Sequence, residues 1–188
     1  MIKSQFEEAL LVLQTFMNDA SNYEKIEEAA YIMSESLKTG NKIISCGNGG
    51  SMSDAMHFAE ELSGKFRNDR SGLAAIAISD PGHITCVGND YGFDKVFSRY
   101  VEAVGKPGDV LLAISTSGNS ENILQAIKAA HCRGMKVLGL TGKDGGKAGS
   151  LCDVEIRVPW NKYSDRIQEV HIKIIHSLIL AIEKNLGL

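Results

Sequence analysis

Residues 42–51 read Lys42-Ile43-Ile44-Ser45-Cys46-Gly47-Asn48-Gly49-Gly50-Ser51, and a helical pattern follows from about Ser53. A short, nearly continuous apolar run that stops in a glycine-rich turn and restarts with helical period is a strand–loop–helix unit. The same grammar returns at Asp109–Ser115, a strand-like run that ends in Thr116-Ser117-Gly118-Asn119-Ser120 before another helical segment. Three further apolar runs, 73–79, 136–141 and 153–158, complete a set of five, with helical segments at 53–66, 81–88, 94–104 and 120–133 between them. Apolar strands separated by helices predict an α/β fold with a five-stranded parallel sheet buried on both faces.

Outward from this core lie helices. Residues 2–19 space Ile2, Phe6, Leu10, Leu13 and Met17 as one stripe, and residues 23–38 do so with Ile26, Ala30, Met33 and Leu37, ahead of a terminating Gly40. From about Tyr163 to Asn185 the chain is apolar nearly all round (Ile167, Val170, Ile172, Ile174, Ile175, Leu178, Ile179, Leu180, Ile182). Such a helix is expected to be buried on every side, so it and the N-terminal helices should form an oligomer core. No repeat or linker interrupts the chain. It reads as a single domain over 1–188: N-terminal helices to 40, an α/β core over 41–160 and a C-terminal helix over 161–188.

Composition narrows the function. With 188 residues, 44% apolar and 23% charged, the chain can bury a sizeable core. Twenty basic against 23 acidic residues give a net charge of −3, which provides no basic footprint for nucleic acid or an anionic membrane. The N-terminus lacks a signal peptide pattern and no apolar run is long enough to span a bilayer, so the expected compartment is the cytoplasm. Cys46, Cys86, Cys132 and Cys152 form no C-x-x-C pair, which argues against a zinc ribbon or redox dithiol. Cys46 and Cys86 are expected to act as small apolar residues.

Both glycine- and serine-rich loops fall where parallel strands end and helices begin. Helix N-termini there offer amides and a partial positive charge, which suit a phosphate. Neither loop is followed by Gly-Lys-Ser/Thr and no G-x-G-x-x-G occurs, so a nucleoside triphosphate or a dinucleotide is not expected. The helix after the first loop carries His57 and Glu61 four residues apart, roughly opposite the core stripe of Ala55, Phe58, Ala59 and Leu62. An imidazole and a carboxylate so spaced can share a divalent metal or move a proton. The last helix holds Gln168, His171 and His176 among apolar residues, with Asp165 nearby, and buried polar groups need partners. If that helix packs over another subunit's glycine loop, the site is assembled between chains.

Several stretches together resemble the bacterial phosphoheptose isomerase family of the sugar-isomerase (SIS) superfamily. They are Cys46–Ser51, Asp54–Leu62, Cys86–Asp90, Ser115–Ser120, Leu140–Gly146, and Arg166–Glu169 with His171 and His176. The resemblance implies a SIS, flavodoxin-like sheet in a homotetramer and conversion of sedoheptulose 7-phosphate to D-glycero-D-manno-heptose 7-phosphate, the first step toward the ADP-heptose of the lipopolysaccharide core. It implies Glu61 and His176 as the acid/base pair, and one zinc ion per subunit on His57, Glu61, Gln168 and His176. Sugar contacts fall on Asn48, Gly49, Gly50, Glu61, Asn89, Asp90 and Gln168, and phosphate contacts on Ser115, Thr116, Ser117 and Ser120. Glu61 is thus implied twice, as base and as ligand. The alternatives are a non-catalytic SIS module that binds a sugar phosphate, and an isomerase of another phosphosugar.

Overall fold

A computed structural model describes residues 1–188. Its elements are α1 (Ile2–Met17), α2 (Ser21–Lys38), β1 (Ile43–Gly47), α3 (Gly50–Ser63), β2 (Ala75–Ala77), α4 (Pro81–Tyr91), a 3₁₀ turn (Phe93–Lys95), α5 (Val96–Val104), β3 (Val110–Ser115), α6 (Glu121–Cys132), β4 (Lys136–Gly142), the single turn α7 (Gly146–Gly149), β5 (Val154–Val158) and α8 (Ser164–Leu186). All strand pairs are parallel, in the order β2-β1-β3-β4-β5. The expected five-stranded parallel sheet is therefore present with flavodoxin-like order, and the strand sequence reverses direction between β1 and β3. In such sheets the crevice beyond the carboxyl ends at that reversal is where ligands bind.

Alternate strand residues feed two cores. Ile43, Val110, Leu112, Ile114, Leu138 and Leu140 face α1, α2, α3 and α8. Ile44, Cys46, Leu111, Ala113 and Val137 face α5 and α6, with Val87 of α4 on the same side. The inner strands β1 and β3 are buried at every position, whereas edge strand β5 alternates. This is why the inner strands read as unbroken apolar runs.

Several expectations need correction. Helix α3 begins at Gly50 rather than Ser53, because Gly49 takes a positive φ of 56° and turns the chain directly into the helix. Edge strand β2 is shorter than the run 73–79. Cys86 is exposed on α4, while Cys46 is buried as expected. Within the chain α8 is not buried all round: Glu169, Lys173 and Leu180 stay exposed, because the sheet, α1, α2 and α3 cover only its other sides. In α1 the chain buries Val12 and Phe16 and leaves much of the anticipated stripe outside, with Phe6 74% and Ile2 65% exposed. No helix is long and apolar enough to cross a membrane.

His171 belongs to the packing. It is fully buried; its Nε2 donates to the Thr141 carbonyl at 2.9 Å, and Nδ1 has no partner. Burial pushes its pKa from 6.5 down to about 4. Below pH 6.5 the unfolded chain therefore binds a proton that the folded one refuses, so the stability tied to neutral His171 is complete above pH 6.5 and lost as the pH falls toward 4. Between pH 7 and 5 that loss is about 2 kcal/mol. His171→Gln keeps a donor for Thr141 without the titration. At fixed protein concentration it should show a stability decline from pH 7 to 5 smaller by about that amount, read from denaturant midpoints. Equal declines in the two proteins would contradict the assignment.

Candidate active site

The loops after β1 and β3 meet at the reversal point and enclose a cavity of 340 Å³ lined by Asn48, Gly49, Gly50, Ser51, Ile114, Ser115, Thr116, Ser120, Ser164 and Gln168. None of these side chains carries a charge. The positive potential comes from the backbone, since α3 starts at Gly50, α6 follows the N-cap Ser120, and α8 starts at Ser164, so three helix N-termini converge on one space. Hydroxyls of Ser115, Thr116, Ser120 and Ser164 face it, and Thr116 Oγ1 donates to Ser164 Oγ at 3.2 Å. Asn48 and Asn122 hold the two loops together by exchanging amide hydrogen bonds of 2.9 Å in both directions. At Gly50 a Cβ would lie 2.6 Å from Gln168 Oε1, so any side chain there would displace the Gln168 amide. Gly118, at φ +63°, is needed because a Cβ would run into the Gly145 carbonyl.

Beside this cavity, α3 and α8 bring together residues 119 positions apart. His57 Nε2 lies 3.1 Å from His176 Nε2 and 3.3 Å from Glu61 Oε1. Ligand atoms of His57, Glu61 and His176 all fall within 4.8 Å of one another, an arrangement that could hold a metal ion. Two imidazole nitrogens that close put lone pairs face to face unless a proton or a cation lies between. Donors around one zinc at its usual bond lengths sit about 3.3 Å apart, so the set fits such an ion. Burial, with the neighbouring His57, holds His176 below the usual imidazole range and keeps it neutral as a ligand must be. Phe66 covers it, with ring centroids 5.7 Å apart.

The remaining expected residues divide. Gln168 lines the loop cavity and also a neighbouring one shared with His57, Asp54 and Asp165, so it stands between the two parts of the site. Ser117 does not line the cavity; its hydroxyl accepts from the Asn119 N–H at 3.2 Å, inside the loop. Asn89 and Asp90 lie in the exposed last turn of α4, bonded to each other at 2.7 Å, and line neither cavity. The packing of α8 over another subunit's loop is not what brings the histidines together, because α8 returns from edge strand β5 across α2 and α3 of its own chain. Sequence reasoning missed Ser164, Asn122 and Asp54. Burial pushes the Asp54 carboxyl up to about 6 against the pull of His57, and Asp54 Oδ2 has no partner.

The SIS domain family model matches residues 5–142. Over 187 residues the chain is 62% identical to the phosphoheptose isomerase of Aeromonas hydrophila subsp. hydrophila, covering 100% of this chain and 97% of that one. The chain belongs to the phosphoheptose isomerase family of SIS-domain proteins. Solved structures of family members agree with its fold. The phosphoheptose isomerase of Neisseria gonorrhoeae matches with a TM-score of 0.90 at 44% identity, covering 97% of each chain. That of Francisella tularensis matches with a TM-score of 0.92 at 41% identity, over 97% of this chain and 96% of that one.

The division into two subsites can be tested. Ser120→Ala removes one hydroxyl from the loop cavity, a hydrogen bond to a charged acceptor worth about 1.5–3 kcal/mol. Calorimetry should show inorganic phosphate binding weakened by roughly tenfold or more and Co²⁺ binding unchanged. Parallel loss of both would contradict separate subsites.

Proposed function

We propose that this chain isomerises sedoheptulose 7-phosphate to D-glycero-D-manno-heptose 7-phosphate through an enediol, with zinc at His57, Glu61 and His176 and with Gln168 completing the set. The carrying observation is the Glu61–His176 pair beside an uncharged, helix-capped cavity, in a chain 62% identical over its full length to a phosphoheptose isomerase. The substrate phosphate occupies the loop cavity, where amides, helix N-termini and hydroxyls are the donors that an oxyanion requires. Asn48, Gly49 and Gln168 bind the sugar next to it.

Ketose-to-aldose conversion moves a hydrogen from C1 to C2 and shifts the carbonyl the other way. One oxygen of Glu61 faces His57, which leaves the second to take the C1 proton and deliver it to C2. His176, neutral and with Nε2 turned to the cluster, gives the proton of its other ring nitrogen to the carbonyl oxygen and recovers one from the neighbouring hydroxyl. Zinc, when bound, supplies Lewis-acid polarisation of the carbonyl. A module that only bound sugar phosphate would need the cavity alone; the adjoining acid/base cluster favours catalysis.

The whole chain 1–188 acts as one unit, because helices from both ends cover the sheet face that carries the site. The exposed Ile2, Phe6, Leu10 and Met17 on α1, and an apolar groove of 360 Å³ between α1, α2 and α8, supply the buried face of a homotetramer. Within that tetramer a neighbouring chain is what would bring Asn89 and Asp90 to a sugar. The product enters ADP-heptose synthesis for the lipopolysaccharide core, in the cytoplasm.

Glu61→Gln and His176→Gln should each lower kcat by about 10²–10⁴-fold in protein that remains folded and binds sugar phosphate. The double variant should be little worse than the poorer single one, since both groups act on one intermediate. Wild-type turnover by either variant would overturn the pair. Light scattering should give a mass of four chains, and a stable monomer would overturn the assembly.

A further inference from the structure

The segment between α3 and β2 contains Arg70, whose side chain is only 4% exposed. Its guanidinium is bonded through all three nitrogens. Nε donates to Glu183 Oε1 at 2.7 Å and Nη2 to the Glu61 carbonyl at 2.8 Å. Nη1 donates to the carbonyls of Leu62 (2.7 Å), Gly64 (3.2 Å) and Ser71 (3.1 Å). The carbonyls of Glu61, Leu62 and Gly64 belong to the C-terminal end of α3, where the helix leaves acceptors unsatisfied and favours a cation. Glu183, 8% exposed, lies on α8 two turns beyond His176 and on nearly the same face.

From this we infer that Arg70 and Glu183 form a positioning clamp, which fixes the backbone of Glu61 to the α8 face that carries His176 and so sets the spacing of the acid/base and metal-ligating cluster. The inference rests on the roles assigned above to Glu61 and His176. Neither Arg70 nor Glu183 touches the loop cavity or the cluster's ligand atoms. Their influence runs through the Glu61 main chain. The flat guanidinium fork reaches several acceptors at fixed angles, which a lysine ammonium cannot reproduce. Glu183 supplies the buried countercharge that such a cation needs. Residues that orient metal ligands from behind are worth about 10–100-fold in metal affinity or activity.

The test uses the full-length protein. Arg70→Lys keeps the charge and loses the fork. Co²⁺ titrated into the metal-free variant and followed by its visible absorption should bind about 10–100-fold more weakly than to wild type. The kcat on sedoheptulose 7-phosphate should fall in the same range, with KM within about twofold because the phosphate cavity is intact. Glu183→Gln, which leaves the carbonyl bonds of Arg70 in place, should move both readouts the same way by less. If Arg70→Lys does not fold, Glu183→Gln decides alone. A folded variant with lowered thermal stability but wild-type Co²⁺ affinity and kcat would make the pair merely structural and overturn the clamp. Glu61→Gln measured alongside separates the two failures. If it loses Co²⁺ binding and turnover while the clamp variants lose neither, the clamp is wrong; if it also retains both, the assignment of the cluster is wrong.

Discussion

The rotational setting of α3 governs the rest of the site. Ala55, Phe58, Ala59 and Leu62 are buried against the sheet, and burying side chains such as Phe58 and Leu62 is worth roughly 1.5–3 kcal/mol each. That packing fixes the phase of the helix. With it fixed, the first turn of α3 lies against the loop after β1, and His57 and Glu61 point toward α8. One helix thus supplies part of the loop-cavity lining at its start and two members of the His57–Glu61–His176 cluster along its length. Turning it by one residue would expose Phe58 and withdraw both functional side chains together.

Electrostatics at the two subsites follow different designs. The loop cavity has no basic side chain and offers an anion three converging helix N-termini and several hydroxyl-bearing residues. Fixed dipoles of this kind need no side-chain ordering when the ligand arrives. The neighbouring cluster instead relies on titratable groups whose partial burial keeps His176 neutral. In the proposed reaction binding and proton transfer are thereby divided between neighbouring parts of the site, and Gln168 lines both cavities.

Much of this was legible in the chain. The inner strands announced themselves because burial on both faces makes nearly every residue apolar, and the two loops because they interrupt those runs with glycine and serine. His57 and Glu61 were visible through helical spacing alone. The two histidines of α8 were harder to tell apart. His171 and His176 stand among similar apolar neighbours, and only the direction from which the sheet packs shows that one faces the Thr141 carbonyl and the other the site. Gly49 moved the start of α3 because its positive φ is a tertiary choice. Arg70 gave no signal, since its partner lies 113 residues away and its other bonds are to main-chain oxygens. Asp54 reads as an ordinary first-turn acid until packing strips it of water.

The central claim is that Glu61 and His176 move a proton between adjacent carbons of a phosphosugar. Its most direct test is turnover of sedoheptulose 7-phosphate by the zinc-loaded protein in D₂O, with product examined by NMR. Transfer through an enediol by a solvent-exchanging carboxylate predicts heptose 7-phosphate that carries deuterium at C2. Substrate that binds and remains unchanged, or product formed at the wild-type rate by Glu61→Gln protein, would contradict the account.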